Sequence, residues 1–234
     1  MADINLVGNP GLTGMNGEKG NPGKNSVADN TGQPGSDTSK DTYPKKCKQA
    51  TPGTTGAAGG VGGNGVAGTD GAKGPTFNLL ISGSIPESSK QISISSTGGK
   101  GGNGGNGGNG GEGDVGGKAG VNNTTCMTKN VTFASSGGNG GDSGEGGNGA
   151  NGGNGGDGGD INIKVKSQYK NWLSPFSNSG TAGFGGKAGL PGTPGQGGAN
   201  EDGGNAQSGR VNSGGTPGNN GKLGDSGQIN WKPL

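Results

Sequence analysis

The sequence predicts a mainly irregular, polyproline II-like fold, a bundle of about six antiparallel polyglycine II helices with a small β cap at one end. Residues 1–234 would form it as a single glycine-rich domain. Three observations lead there. First, 65 of the 234 residues are Gly, with 22% hydrophobic and 3% aromatic residues, against roughly 45–50% apolar in an ordinary soluble domain. A conventional oily core is excluded. Second, the glycines recur at every third position in six tracts: 8–23, 53–74, 98–116, 137–159, 180–198 and 215–227. Third, short alternating segments separate some of these tracts, as half-buried strands do.

A disordered linker has no reason to hold a period and restart it. Period three belongs to the polyproline II family, with three residues per turn and ~3.1 Å rise. Gly on the repeating face lets another backbone come close. Collagen shares the period but needs Pro plus hydroxyproline at ~15–20% or more, and this chain has 12 Pro and breaks its register five times. The third and fourth tracts carry a second Gly per triplet, such as Gly99, Gly102 and Gly105, or Gly138, Gly141 and Gly144. Two bare faces suit a central position. The remaining positions, among them Lys100, Asn103 and Asn106 in one tract and Asn148, Asn151 and Asn154 in the other, are expected to face water.

The segments Ile4–Val7, Phe77–Ser82, Gln91–Ser95, Asn130–Ala134, Ile161–Lys166 and Gln228–Trp231 read as strands. If successive tracts alternate in direction, all but Asn130–Ala134 fall at one end. The other end then collects 24–52, 117–136 and 199–214, which are polar and contain both cysteines. A Cys47–Cys126 disulfide there would close a long loop, contributing up to ~4–5 kcal/mol in the chain-entropy model; the alternative is two free thiols.

Much chemistry is excluded. The chain has no His and two Cys, so imidazole triads and zinc sites are out of reach. No Gly-Lys pair is followed by Ser or Thr, as a phosphate loop requires. No catalytic residue, metal or cofactor is expected, and the chain reads as a non-enzyme. The net charge of +2 is spread over scattered lysines, which argues against nucleic acid. No apolar run reaches the roughly 18 residues of a membrane span. The N-terminus lacks the basic and apolar regions of a signal peptide, so none is expected.

Tyr43, beside Lys45, Lys46 and Lys48, offers one rigid aromatic among polar groups in the loop end, which suits glycan or protein recognition; a solvated basic loop is the other reading. Trp172, Phe176 and Trp231 gather near the strand end with Tyr169 and Leu173. They would form either a small core or a surface on which a partner docks.

Gly-x-x tracts broken by variable polar segments, most of all Gly98–Gly116 and Gly137–Gly159, resemble the tip adhesins of long tail fibres in T-even-like bacteriophages. The resemblance implies a glycine-tract sandwich whose distal loops recognise a host outer-membrane protein or surface glycan. It makes Tyr43, Lys45, Lys46, Lys48, Asn122, Asn123, Lys129 and Arg210 the candidate receptor contacts. It implies location on a virion, at a tail fibre or tail tip, with an extracellular location as the alternative. Those adhesins carry a separate attachment domain, whereas the first tract here begins at Gly8. A fibre or baseplate protein would therefore dock at the strand end. Springtail antifreeze proteins look similar in their Gly-x-x bundles, but ice binding would need a flat, weakly charged face, and the first and third tracts carry Lys and Glu. A structural filament or surface-coat protein is a further alternative.

Overall fold

The computed structural model describes residues 4–23, 31–34, 36–37, 47–83, 91–122 and 134–234. Within them, glycine at every third position does one thing throughout: it turns a backbone N–H toward a carbonyl of a neighbouring tract. The first, third and fifth tracts lie side by side and run parallel. Gly8 N–H donates to Thr97 O at 2.8 Å, Gly17 to Asn106 O at 2.8 Å, and Gly107 to Lys187 O at 2.8 Å. The second, fourth and sixth tracts form another parallel layer, with Gly65 donating to Asn148 O at 2.9 Å and Gly149 to Thr216 O at 2.8 Å. The two layers run in opposite directions and are joined by bonds such as Gly108 N–H to Gly63 O, Gly147 N–H to Gly108 O and Gly186 N–H to Ala150 O, at 2.8 Å each.

The glycines are demanded by this spacing. A methyl group at Gly105 would meet the carbonyl oxygen of Met15, and one at Gly147 that of Gly63. The obstacle is backbone, which cannot swing aside. The third and fourth tracts exchange backbone bonds with four neighbours each, which is why they need two bare positions per triplet.

The expectation of six antiparallel polyglycine II helices with a small β cap is corrected by the structure. Among the described residues one helical element occurs, the 3-10 helix Ser167–Trp172. The glycine tracts carry no regular secondary structure and are irregular extended segments. The β structure is larger than a cap: two parallel three-stranded sheets and a two-stranded ladder. The period of three reports where close backbone contacts fall; it does not by itself fix a local helix.

The strands are β1 (Ile4–Val7), β2 (Ser36–Asp37), β3 (Cys47–Lys48), β4 (Phe77–Ile81), β5 (Ile92–Thr97), β6 (Ile161–Val165), β7 (Leu173–Asn178) and β8 (Ile229–Pro233). One sheet has the order β1-β5-β7 and continues the first layer; the other, β4-β6-β8, continues the second. Registers are direct, with Ile4 opposite Ile94, Ile94 opposite Pro175, Phe77 opposite Ile161 and Ile163 opposite Trp231. At the junction the repeat changes from three to two, and every second residue becomes apolar. Ile94, Ile161, Ile163, Val165 and Leu173 are buried, with Ile4, Phe77, Leu79, Ile81, Tyr169 and Trp231 packed against them. Serines fill the seam: Ser177 Oγ donates to Gly159 O at 2.9 Å, and Ser96 Oγ to Pro75 O at 2.7 Å.

Strand β7 is absent from the six strands expected from the sequence. Pro175 removes a ladder donor, but β7 lies at a sheet edge, where proline is tolerated. The expected strand Asn130–Ala134 falls almost wholly outside the described residues.

Candidate functional site

Three inter-tract connections leave the glycine layers at the end opposite the paired sheets. Their described parts are knitted together. Gly32 N–H donates to Lys118 O at 2.8 Å, Thr51 N–H to Gln33 O at 2.9 Å, Gly120 N–H to Thr51 O at 3.0 Å, and Ala119 N–H to Ala199 O at 2.8 Å. The connection after the fifth tract turns through Gly203 and Gly204, with φ of 97° and 73°. That is left-handed backbone, which favours glycine.

Glu201 is the centre of this end. Its Oε1 accepts the Asn122 N–H at 2.5 Å, and its Oε2 accepts Asn122 Nδ2 at 2.6 Å and the Ser135 N–H at 2.7 Å. The Glu201 N–H in turn donates to Ser135 O at 3.0 Å. Asn122 passes the link on, since its Oδ1 accepts the Ala50 N–H at 2.8 Å. The carboxylate thus joins the connection after the fifth tract to both ends of 117–136, and Asn122 extends the link to Ala50 in the first connection. The N–H donors of Ser135 and Asn122 hold its carboxyl below the ordinary value of 4.5, because they stabilise the charged form.

Asn122 is 4% exposed, and its amide is engaged within the chain, so it positions the loops. Lys48 and Arg210 are exposed. Tyr43, Lys45, Lys46, Asn123, Lys129 and Cys126 lie outside the described residues. Of Cys47 the backbone pairing with Asp37 is described; the Cys47–Cys126 pairing itself falls outside.

The positions expected to face water serve a second purpose. In the fifth and sixth tracts an N–H of most triplets is captured by an Asn or Asp of the adjoining central tract. Asn103, Asn106 and Asn109 Oδ1 accept the N–H groups of Phe184, Lys187 and Leu190 at 3.0, 2.8 and 2.9 Å. On the other face Asn148, Asn151, Asn154 and Asp157 accept those of Thr216, Asn219, Lys222 and Asp225, all at 2.8 Å. Near the loop end of this second face the surface opens into a shallow polar depression of about 340 Å³, lined by Thr55, Ala58, Asn139, Asp142, Gln207 and Arg210 among others. Sequence reasoning singled out Arg210 there and missed Asn139 and Gln207. Their signal was the three-residue register, which extends back from the sixth tract into the connection before it and puts Gln207 opposite Asn139.

At the sheet end the aromatic residues are separated. Trp231 is half-buried and packs on the core, with Lys170 Nζ 5.0 Å from its ring centroid. Phe176 is 38% exposed, on the face of β7 opposite the buried Leu173 and Ser177. Trp172 closes the 3-10 helix and is half-buried. Among the described residues no helix is long and apolar enough to cross a membrane, and no group of three or more His, Cys, Asp or Glu side chains could hold a metal ion.

No family model matches the chain. No curated protein matches it either. Among solved structures it is similar to the nine polyproline type II helical bundle springtail antifreeze protein from Granisotoma rainieri, with 26% identity over 71% of this chain and 94% of that chain. The TM-score is 0.15, at which the likeness carries no argument about fold or activity.

Proposed function

We propose that this chain is a non-enzymatic receptor-binding adhesin of a virion tail fibre or tail tip. Its glycine layers are a rigid stand that presents polar loops to a host-cell surface. The observation that carries this reading is the convergence of three interruptions of the repeat at one end, linked in series by Glu201 and Asn122. A scaffold that positions polar loops is how recognition surfaces are commonly built. Both flat faces carry charged columns, with Lys100 and Glu112 on one and Asp142, Glu145 and Asp157 on the other, which disfavours ice binding. The sheet end, with Phe176 exposed, would meet the fibre or baseplate.

The test is attachment of the fluorescently labelled chain to a panel of intact Gram-negative cells. Saturable binding to some strains, abolished when 38–46 and 123–133 are replaced by Gly-Ser linkers while the thermal melt is kept, is the expected result. Binding to no strain, or binding indifferent to both replacements, would overturn the proposal. A thermal-hysteresis assay on the same sample is expected to show no activity.

A further inference from the structure

On the second flat face side chains catch backbone N–H groups from Asp160 down to Asn148, skip Glu145, where Ser143 Oγ accepts the Asn212 N–H at 2.8 Å, and resume at Asp142, whose Oδ1 accepts the Arg210 N–H at 2.7 Å. One triplet further on, the register places Asn139 against Gln207, since Gly140 N–H donates to Gln207 O at 2.9 Å. The side-chain bond is not made there. Among the described residues the Asn139 carboxamide, the Gln207 carboxamide and the Arg210 guanidinium have no hydrogen-bond or ion-pair partner. These three groups converge on the 340 Å³ depression, at the lower end of the about 300–1,000 Å³ range of small-molecule sites.

Its chemistry is specific. Gly140 and Gly141 are buried residues of its lining and bring no side chain, so a ring can lie close to their backbone. The rim offers two carboxamides, the Thr55 hydroxyl and the second oxygen of Asp142, which together donate to and accept from hydroxyl groups. Arg210 is the one arginine of the sequence, where every other cationic side chain is lysine. Its planar fork matches a carboxylate in a way that an ammonium does not. No aromatic or large aliphatic anchor lines the depression, which argues against a protein hot spot.

We propose that this groove is a saccharide site, in which Arg210 receives the carboxylate of an acidic sugar and Asn139, Gln207 and Asp142 bond its hydroxyls. This rests on the adhesin reading and names the receptor class for it.

The test uses the full chain on an array of oligosaccharides bearing uronic acids, sialic acids or neutral hexoses. The expected result is binding to one or more of the acidic glycans, with neutral counterparts at least tenfold weaker. Arg210→Lys, which keeps the charge and loses the fork, and Asn139→Ala should each weaken that binding by about tenfold. Both positions are exposed, so the thermal melt should not move. Absence of any glycan binding, or glycan binding unchanged in both variants, overturns the groove. The two readings fail separately. Cells bound equally well by wild type and Arg210→Lys would overturn the groove and leave the adhesin standing. Acidic glycan binding weakened by Arg210→Lys, with no cell of any strain bound, would support the groove and overturn the adhesin.

Discussion

Gly105 shows what single residues do in this molecule. Its N–H donates to Val66 O at 2.8 Å, and its carbonyl accepts the Ala150 N–H at 2.9 Å. A Cβ at that point meets the Met15 carbonyl, which belongs to a third tract. Gly105→Ala therefore forces two neighbouring tracts of one layer apart instead of filling space. We expect a loss of about 3 kcal/mol or more, the upper range for overpacking, measured as a drop in denaturation midpoint. Val61→Ala, at a 64% exposed position of the second tract, should stay within about 0.5 kcal/mol. Equal effects of the two would mean that the tracts are not in close contact. Prolines follow the same logic in reverse. Pro10, Pro22, Pro191, Pro194 and Pro217 all stand in peripheral tracts, at positions whose N–H would have no neighbour to bond. None stands in the third or fourth tract, where two donors of nearly every triplet bond a neighbouring tract.

At the scale of elements, the two ends are held differently. The sheet end has an apolar centre around Ile94, Ile161 and Ile163 and an outer ladder in which Asn230 Nδ2 donates to Asn162 Oδ1 at 3.0 Å and Asn162 Nδ2 to Asn78 Oδ1 at 2.8 Å. Asp160 there is held below its ordinary 3.8 by the Gln228 N–H and then by Lys73. The loop end has Glu201, whose carboxyl is depressed in the folded state. A depressed acid stabilises the fold above its unfolded value, and that contribution is lost as pH falls through the folded value. Glu201 should therefore hold the loops fully above about pH 4.5 and release them progressively below it. Amide-exchange protection of Asn122 and Ser135, followed from about pH 6 to about pH 3, should fall first at these residues. Glu201→Gln should start with low protection and show no such fall. Protection that stays constant through this window in the wild type would remove Glu201 from its assigned role.

For the molecule as a whole, the edges matter. A layered backbone lattice could in principle grow sideways by adding tracts from other copies, as exposed sheet edges do. Here the outermost tracts carry proline and bulky exposed side chains, including Leu12 at 75%, Met15 at 74% and Leu223 at 68%. The prolines remove donors, and the bulky side chains keep another backbone at a distance. We expect the isolated chain to sediment as a single species of 22.2 kDa across a wide concentration range. Lateral filaments would overturn this and favour the structural-coat alternative.

How much of this was legible in the sequence can be argued from particular residues. The six glycine tracts, the middle rank of the third and fourth, and strands near Ile4, Phe77, Ile92, Ile161 and Ile229 follow from periodicity, because glycine spacing and apolar alternation are local records of what each face touches. The helical nature assigned to the tracts does not follow, since the same period serves any extended segment bonded laterally on a repeating face. Strand β7 was hidden by Pro175, whose tolerance depends on lying at an edge, a property of the sheet. At the loop end, Glu201 carried no sequence signal, and Asn122 looked like a free amide. The sequence by itself determined which backbones could approach closely, because only glycine leaves room. Tertiary structure alone decided the two parallel layers, the carboxylate that ties the loops and the groove beside Arg210, because each depends on which tract stands next to which.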